Sequence, residues 1–222
     1  MTLKPLNLLP ARERVASSLR KAIISRDFAE GEQITLDAIA SILGVSKTPV
    51  REAFLMLENE GLIKTTPSKR VIVLGMTEKN VREHFQIRAA LESEAVAFCC
   101  EENVDLSAIR EVLEDSRCVI ERERFEEYSN LNQAFHVAIW TACGNERLKN
   151  MLSVMWNGLS IRYMESLEDY AVKSFGEHEK IFAALEVRDA NLARKLMHDH
   201  IGRSMTDMLT NLQEEKAHEQ ES

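Results

Sequence analysis

Glycine and proline are scarce in this chain, with 8 and 4 copies among 222 residues. Both residues punctuate regular structure, so the long stretches between them favour helix. Long apolar runs are also missing: no stretch of about 18 apolar residues occurs, which excludes a membrane-spanning helix. Met1 to Pro10 carries Lys4 but no apolar stretch ending in a small-residue cleavage site. Nothing there marks export, so a cytoplasmic location without a membrane partner is expected. Cysteine is limited to Cys99, Cys100, Cys118 and Cys143, none of them spaced as C-x-x-C. That spacing argues against a zinc–thiolate knuckle and against a disulfide framework, leaving reduced and mostly buried thiols as the expectation.

What is present suits a globular protein. Hydrophobic residues make up 45% and charged residues 29%, enough to build a real core in one large domain or two modest ones. A formal charge of −8 speaks at first against a polyanionic partner. The charge is uneven, however. Residues 1–75 hold 11 Lys and Arg against 8 Asp and Glu, whereas the remainder holds 17 against 28. A basic head on an acidic body lets one end only approach phosphate.

The head, residues 1–75, reads as helix, helix, helix and hairpin. Arg12 to Ser25 places Val15, Leu19, Ala22 and Ile23 on one helical face. Gly31 breaks the chain, and Gln33-Ile34 is a short extended piece. Thr35 is placed to cap a second helix, Leu36 to Leu43, which Gly44 stops. Ser46 is placed to cap a third, with Pro49 in its first turn and Val50, Ala53, Phe54 and Leu57 along its apolar stripe. Ile63–Thr66 and Val71–Val73 are short β-type runs joined by Pro67-Ser68-Lys69-Arg70. The order describes a winged helix-turn-helix, in which the start of the third helix meets base edges in the major groove. Ser46, Lys47, Thr48 and Arg51 occupy that start, with Lys47 and Arg51 four apart on one face. Hydroxyls and cations there suit phosphate capture and guanine readout; the plainer alternative is a solvated helix end.

The body, residues 76–222, is helical almost without pause. Expected helices are Thr77–Glu101, Asp105–Arg122, Arg124–Ala142, Asn145–Leu167, Val172–Val187 and Asp189–Gln213, forming an all-α antiparallel bundle with a frayed end from Glu214. The informative residues are the polar ones inside apolar stripes. Asn132 and His136 share a face with Tyr128, Ile139 and Cys143. His178 interrupts Ala171, Phe175, Phe182 and Leu185, and His200 continues the row Leu192, Leu196. His198 lies two residues before His200 and points elsewhere, while His84 and His218 are expected in solvent. One buried imidazole is usually a hydrogen-bonded core residue, but three in one bundle ask for a common partner. Three imidazole nitrogens and an amide oxygen suit a divalent transition metal such as Zn²⁺ or Ni²⁺. Arg88 interrupts the stripe Val81, Phe85, Leu91, Ala95 and Phe98. It is either a structural partner for a buried Glu or a clamp for a ligand carboxylate.

The stretch Leu36 to Ile63, above all Gly-Val-Ser-Lys-Thr-Pro-Val-Arg-Glu-Ala at 44–53 and Glu60-Gly61-Leu62-Ile63, closely resembles the DNA-binding signature of the GntR family. Leu131-Asn-Gln-Ala-Phe-His-Val-Ala-Ile139, Glu177-His-Glu-Lys-Ile-Phe-Ala-Ala184 and Met197-His-Asp-His200 resemble the metal-binding elements of the FCD domain, as Arg88-Ala-Ala-Leu-Glu92 does its Arg-x-x-Leu-Glu motif. Together they point to the FadR subfamily. The resemblance implies DNA contacts from Lys47, Thr48 and Arg51, with phosphate contacts from Lys69 and Arg70 in the wing. It implies a metal held by Asn132, His136, His178 and His200, and a small organic-acid effector near Arg88. Three places depart from the family pattern: the wing reads Pro67-Ser68-Lys69-Arg70 where Pro-x-Arg-Gly is usual, Asp37 stands where some members place an Arg, and Asn132 replaces an Asp.

The expected function is that of a homodimeric repressor on a palindromic double-stranded operator, released when the effector binds. Two other readings stand beside it: a metal-dependent enzyme using the same histidines, and a metal-free sensor whose histidines bind the effector directly.

Overall fold

The computed structural model describes residues 10–24, 27–68, 70–75, 77–156 and 167–220. Its described residues divide into two compact units, one ending at Asn80 and one beginning at Val81.

The first unit contains α1 (Ala11–Ile24), β1 (Gln33–Ile34), α2 (Leu36–Leu43), α3 (Lys47–Asn59), β2 (Ile63–Thr65) and β3 (Val71–Val73). Local chemistry sets each boundary. Thr35 accepts a hydrogen bond at its Oγ1 from the Ala38 N–H at 3.2 Å, satisfying one of the orphan donors of α2. Gly44 then ends that helix in the left-handed region, at φ 62°, where a side chain would be strained. The short extended piece proves to be a strand. It joins the wing hairpin to give an antiparallel sheet in the order β1-β3-β2, with Ile34 opposite Val71 and Ile63 opposite Val73. Val15, Leu19, Ile23, Ile39, Val50 and Leu57 form the centre of the core. Each fully buried aliphatic side chain of this kind contributes about 1.5–3 kcal/mol.

One charged side chain lies among them. Arg20, 5% exposed, meets Glu60 just beyond α3 with Nε and Nη2 donating to its two carboxylate oxygens at 2.7 and 2.5 Å. The bidentate geometry is what makes such a pair tolerable out of water. Glu60 also accepts at its backbone oxygen from Asn80 Nδ2 at 3.2 Å. Between them, Gly61 turns the chain at φ +73°, and a Cβ there would lie 2.3 Å from that same Asn80 nitrogen.

The second unit is a helical bundle made from α4 (Glu78–Phe98, whose first turn belongs to the head unit), α5 (Ser107–Glu121), α6 (Phe125–Ala142), α7 (Glu146–Trp156), α8 (Leu167–Glu186) and α9 (Ala190–Gln220). Here α5 packs on α6 and α8, and α8 packs on α6 and α9. Tyr128, Phe135, Ile139 and Trp140 of α6 are fully buried, which makes α6 the axis of the core.

Three expectations need correction. Helix α8 begins at Leu167 rather than Val172, and the stretch 157–166 that was expected to extend α7 lies outside the described residues. Helix α9 runs to Gln220 instead of ending at 213, because Glu, Lys, Gln and Ala are strong helix formers. The apolar row of α9 is Ala193, Met197, His200 and Ile201, while Leu192 is 42% exposed. The row was misread because Leu192, Leu196 and His200 also sit four apart.

Candidate functional site

Ser46, Lys47, Thr48 and Arg51 are all exposed at the start of α3. Ser46 takes the N-cap position with extended backbone, but its hydroxyl makes no capping bond, so that expected role is not realised. Lys47 pairs with Asp37 of α2, Nζ to Oδ1 at 2.6 Å, with both side chains more than half exposed. Such pairs are worth at most about 1 kcal/mol and yield readily to a stronger anion. Arg70 is exposed at the wing, and Thr66 fixes the turn before it. The Thr66 N–H donates to the Arg70 carbonyl at 2.8 Å, and Thr66 Oγ1 accepts from the Arg70 N–H at 3.1 Å. Lys69 lies outside the described residues.

The second cluster is wholly buried. His136 on α6, His178 on α8 and His200 on α9 are each no more than 3% exposed. One ring nitrogen from each lies within 4.8 Å of the others, a spacing open to a metal ion. His136 Nε2 and His200 Nε2 are 3.2 Å apart. Their other nitrogens are committed outward: His136 Nδ1 to Glu92 Oε2 at 2.5 Å, and His200 Nδ1 to Glu177 Oε2 at 2.6 Å. His178 Nδ1 meets the Tyr128 hydroxyl at 3.3 Å, and its ring stacks on Phe135 with centroids 3.9 Å apart. His178 Nε2 is buried and has no hydrogen-bond partner among the described residues.

A neutral imidazole carries one N–H. With Nδ1 donating to a carboxylate in both His136 and His200, two Nε2 lone pairs face each other. Two acceptors at 3.2 Å repel unless a cation lies between them. A proton is a poor candidate. Burial depresses all three imidazoles, His200 to about 4 despite the Glu177 hydrogen bond, and His178 well below its ordinary value with the two neighbouring imidazoles adding to the effect. A metal ion fits better, because carboxylate–histidine pairs of this kind orient the ring and raise its basicity toward metal. Nitrogens bound at about 2.0–2.1 Å in a tetrahedral array stand roughly 3.4 Å apart, close to the spacing of this pair. Asn132, one turn before His136, is 6% exposed, and its Oδ1 accepts from the Ser174 hydroxyl at 3.4 Å. A carbonyl oxygen has a second lone pair, so this long contact leaves it able to ligate.

Arg88 is buried at 7% exposure, and its Nε donates to Glu92 Oε1 at 2.5 Å. Its guanidinium also lies 4.2 Å from the centre of the Trp156 ring. Of the two expectations for Arg88, the pairing with a buried Glu is thus present. That Glu is itself part of the histidine cluster. Glu92 is fully buried and holds Arg88 on one oxygen, with His136 and Trp140 Nε1 on the other. Burial alone would raise its carboxyl, but Arg88 and His136 together hold it well below the usual range. Glu177 is likewise raised by burial and lowered further by the bonds from His200 and Arg203.

Glu92, Glu177, Tyr128 and Arg203 were not singled out as site residues from the sequence. The signals existed. Glu92 stands four residues after Arg88, and Arg203 stands three after His200 on the same helix. Of the remaining histidines, His198 is exposed, whereas His84, expected in solvent, is half-buried with its ring against Phe85. Cys99 and Cys100 are buried, Cys143 is half-buried and Cys118 is exposed. Among the described residues no helix is long and apolar enough to cross a membrane.

The comparisons with known proteins agree with this architecture. Residues 11–73 match the family model described as bacterial regulatory proteins, gntR family, and residues 83–203 match the FCD domain. The HTH-type transcriptional regulator YdhC of Bacillus subtilis is 28% identical over 90% of this chain and 92% of its own length. The gluconate operon transcriptional repressor of the same organism is 26% identical over 84% of this chain and 80% of its own. Among solved structures, E. coli McbR/YncC superposes with a TM-score of 0.70 at 22% identity, covering 92% of this chain and all of that one. With both family models matched in order, the chain belongs to the GntR family of bacterial transcriptional regulators, built as a winged helix-turn-helix followed by an FCD domain.

Proposed function

We propose that this protein is a cytoplasmic, homodimeric repressor whose helical body holds a divalent transition metal and, through it, senses a small organic acid. The observation that carries the reading is the convergence of three buried imidazoles, each with one ring nitrogen already held by a neighbouring side chain. His136, His178 and His200 would hold the ion, Zn²⁺ or Ni²⁺, with Asn132 as the oxygen ligand. A bound ion supplies a Lewis-acidic position for an anionic oxygen. Glu92 and Glu177 hold the histidine tautomers, and Arg88 offers a guanidinium to the acid. Because both carboxylates are engaged by imidazole and guanidinium, neither is free to act as a general base. This speaks for sensing over hydrolysis, as does membership of a regulator family.

Ser46, Lys47, Thr48 and Arg51 would enter the major groove of each half of a palindromic operator, with Lys69 and Arg70 reaching phosphates. Ligand binding biases the bundle between two arrangements and so changes the fit of paired heads to operator half-sites. Repression rather than activation is suggested by relatives such as the gluconate operon repressor.

The test is metal analysis of protein purified without chelator. The expected result is one divalent ion per chain, lost in His178→Ala, while operator binding of that variant persists without an effector response. A wild-type protein that stays metal-free after incubation with Zn²⁺ and with Ni²⁺ overturns the metal centre.

A further inference from the structure

Arg203 on α9 is only partly accounted for. Its Nε donates to both oxygens of Glu177 at 2.7 and 2.9 Å, and its Nη1 donates to Asp207 at 2.5 Å. Its Nη2 is buried and has no hydrogen-bond partner among the described residues. A buried donor on a charged group is strongly disfavoured without an acceptor, so this nitrogen calls for an oxygen that the described residues do not supply.

The location of Arg203 says whose oxygen it is. Glu177 joins Arg203 directly to His200. Glu92 joins Arg88 to His136 in the same way. Two guanidiniums, one from α4 and one from α9, therefore bear on the histidine cluster. The other orphaned buried atom in this cluster, His178 Nε2, lies on the helix that carries Glu177. A monocarboxylate shared between the metal and Arg88 leaves Arg203 Nη2 unmet. A second carboxylate meets it with a charge-assisted bond, about twice as strong as a neutral one.

We infer that Arg203 Nη2 is a second anion-binding donor and that the effector is a small dicarboxylate. This rests on the metal-and-acid reading above and adds the class of acid. The experiment is calorimetric titration of full-length, Zn²⁺-loaded protein with acetate, malonate and succinate. The wild type is expected to bind one of the two dicarboxylates at least about ten-fold more tightly than acetate. Arg203→Gln and Arg203→Lys should both remove that preference, read as the ratio of dicarboxylate to acetate affinity on protein whose zinc content is measured alongside. If the Gln variant does not fold by circular dichroism, the Lys variant decides, since it keeps a cation beside Glu177. Equal affinity for all three acids in the wild type, or a preference that survives in the folded variants, overturns the dicarboxylate assignment alone. Failure of the wild type to retain zinc overturns it together with the metal centre.

Discussion

The two units of this protein place their candidate functional side chains in opposite environments. At the reading head, Ser46, Lys47, Thr48, Arg51 and Arg70 are all exposed, and the core beneath them is ordinary. In the body, Arg88, Glu92, His136, His178 and His200 are all buried, so the candidate site and the core are the same residues. The difference teaches where substitutions can be read cleanly. A change in the head alters binding with little effect on folding. A change in the body alters both, because each polar group there completes another.

The sharpest test of that contrast is Glu92→Gln. Loss of the carboxylate leaves Arg88 buried without its counter-ion and weakens the hold on His136. Metal affinity should fall by about 10–100-fold, with a destabilisation of about 3–5 kcal/mol from the broken buried pair. Metal titration and chemical unfolding measure the two effects, and an unchanged affinity would remove Glu92 from the site. Arg51→Ala should show the opposite profile. Specific operator affinity drops by about 1–3 kcal/mol in anisotropy titrations, while the melting temperature stays within a degree or two.

A third test uses acid. In chelator-treated protein His200 is neutral when folded, with its pKa lowered from 6.5 to about 4, but takes up a proton when unfolded. The unfolded state therefore gains protons first, and stability falls as pH drops from 6.5 toward 4. The lowered values of Glu92 and Glu177 extend the loss in the same direction at lower pH. Melting curves at pH 7.5, 6 and 5 should descend; a flat series contradicts a neutral buried cluster. The smallest effect belongs to Asp37→Ala, which frees Lys47 and removes a carboxylate from the DNA-facing surface. Operator affinity should rise a few-fold with stability changed by less than about 1 kcal/mol. Weaker binding would mean that Asp37 positions Lys47 instead of restraining it.

The same contrast explains what the sequence disclosed. The head was legible because caps, stops and turn residues act locally, as Thr35 and Gly44 do, and because its contact residues lie close together in one helix. The three histidines were legible because a polar residue in an apolar stripe stands out. Their supports were not. Glu177 looks like an ordinary charge beside His178, and only the crossing of α8 with α9 turns it toward His200 and Arg203. Periodicity along one helix carries no information about its neighbour. It also failed where two registers are nearly equal, as with Leu192 against Ala193.

The hydrogen bond between Glu60 and Asn80 has a practical consequence for anyone cutting the chain. Glu60 is held by Arg20 on its side chain and by Asn80 on its backbone, and Gly61 leaves room for that second bond. A fragment stopping at the end of the wing would strip the carbonyl of its amide donor, so an isolated reading module is best ended beyond residue 80. In the full chain, an alanine at 61 would have to displace Asn80 as well as adopt a left-handed turn, so a single added methyl would loosen the first turn of α4.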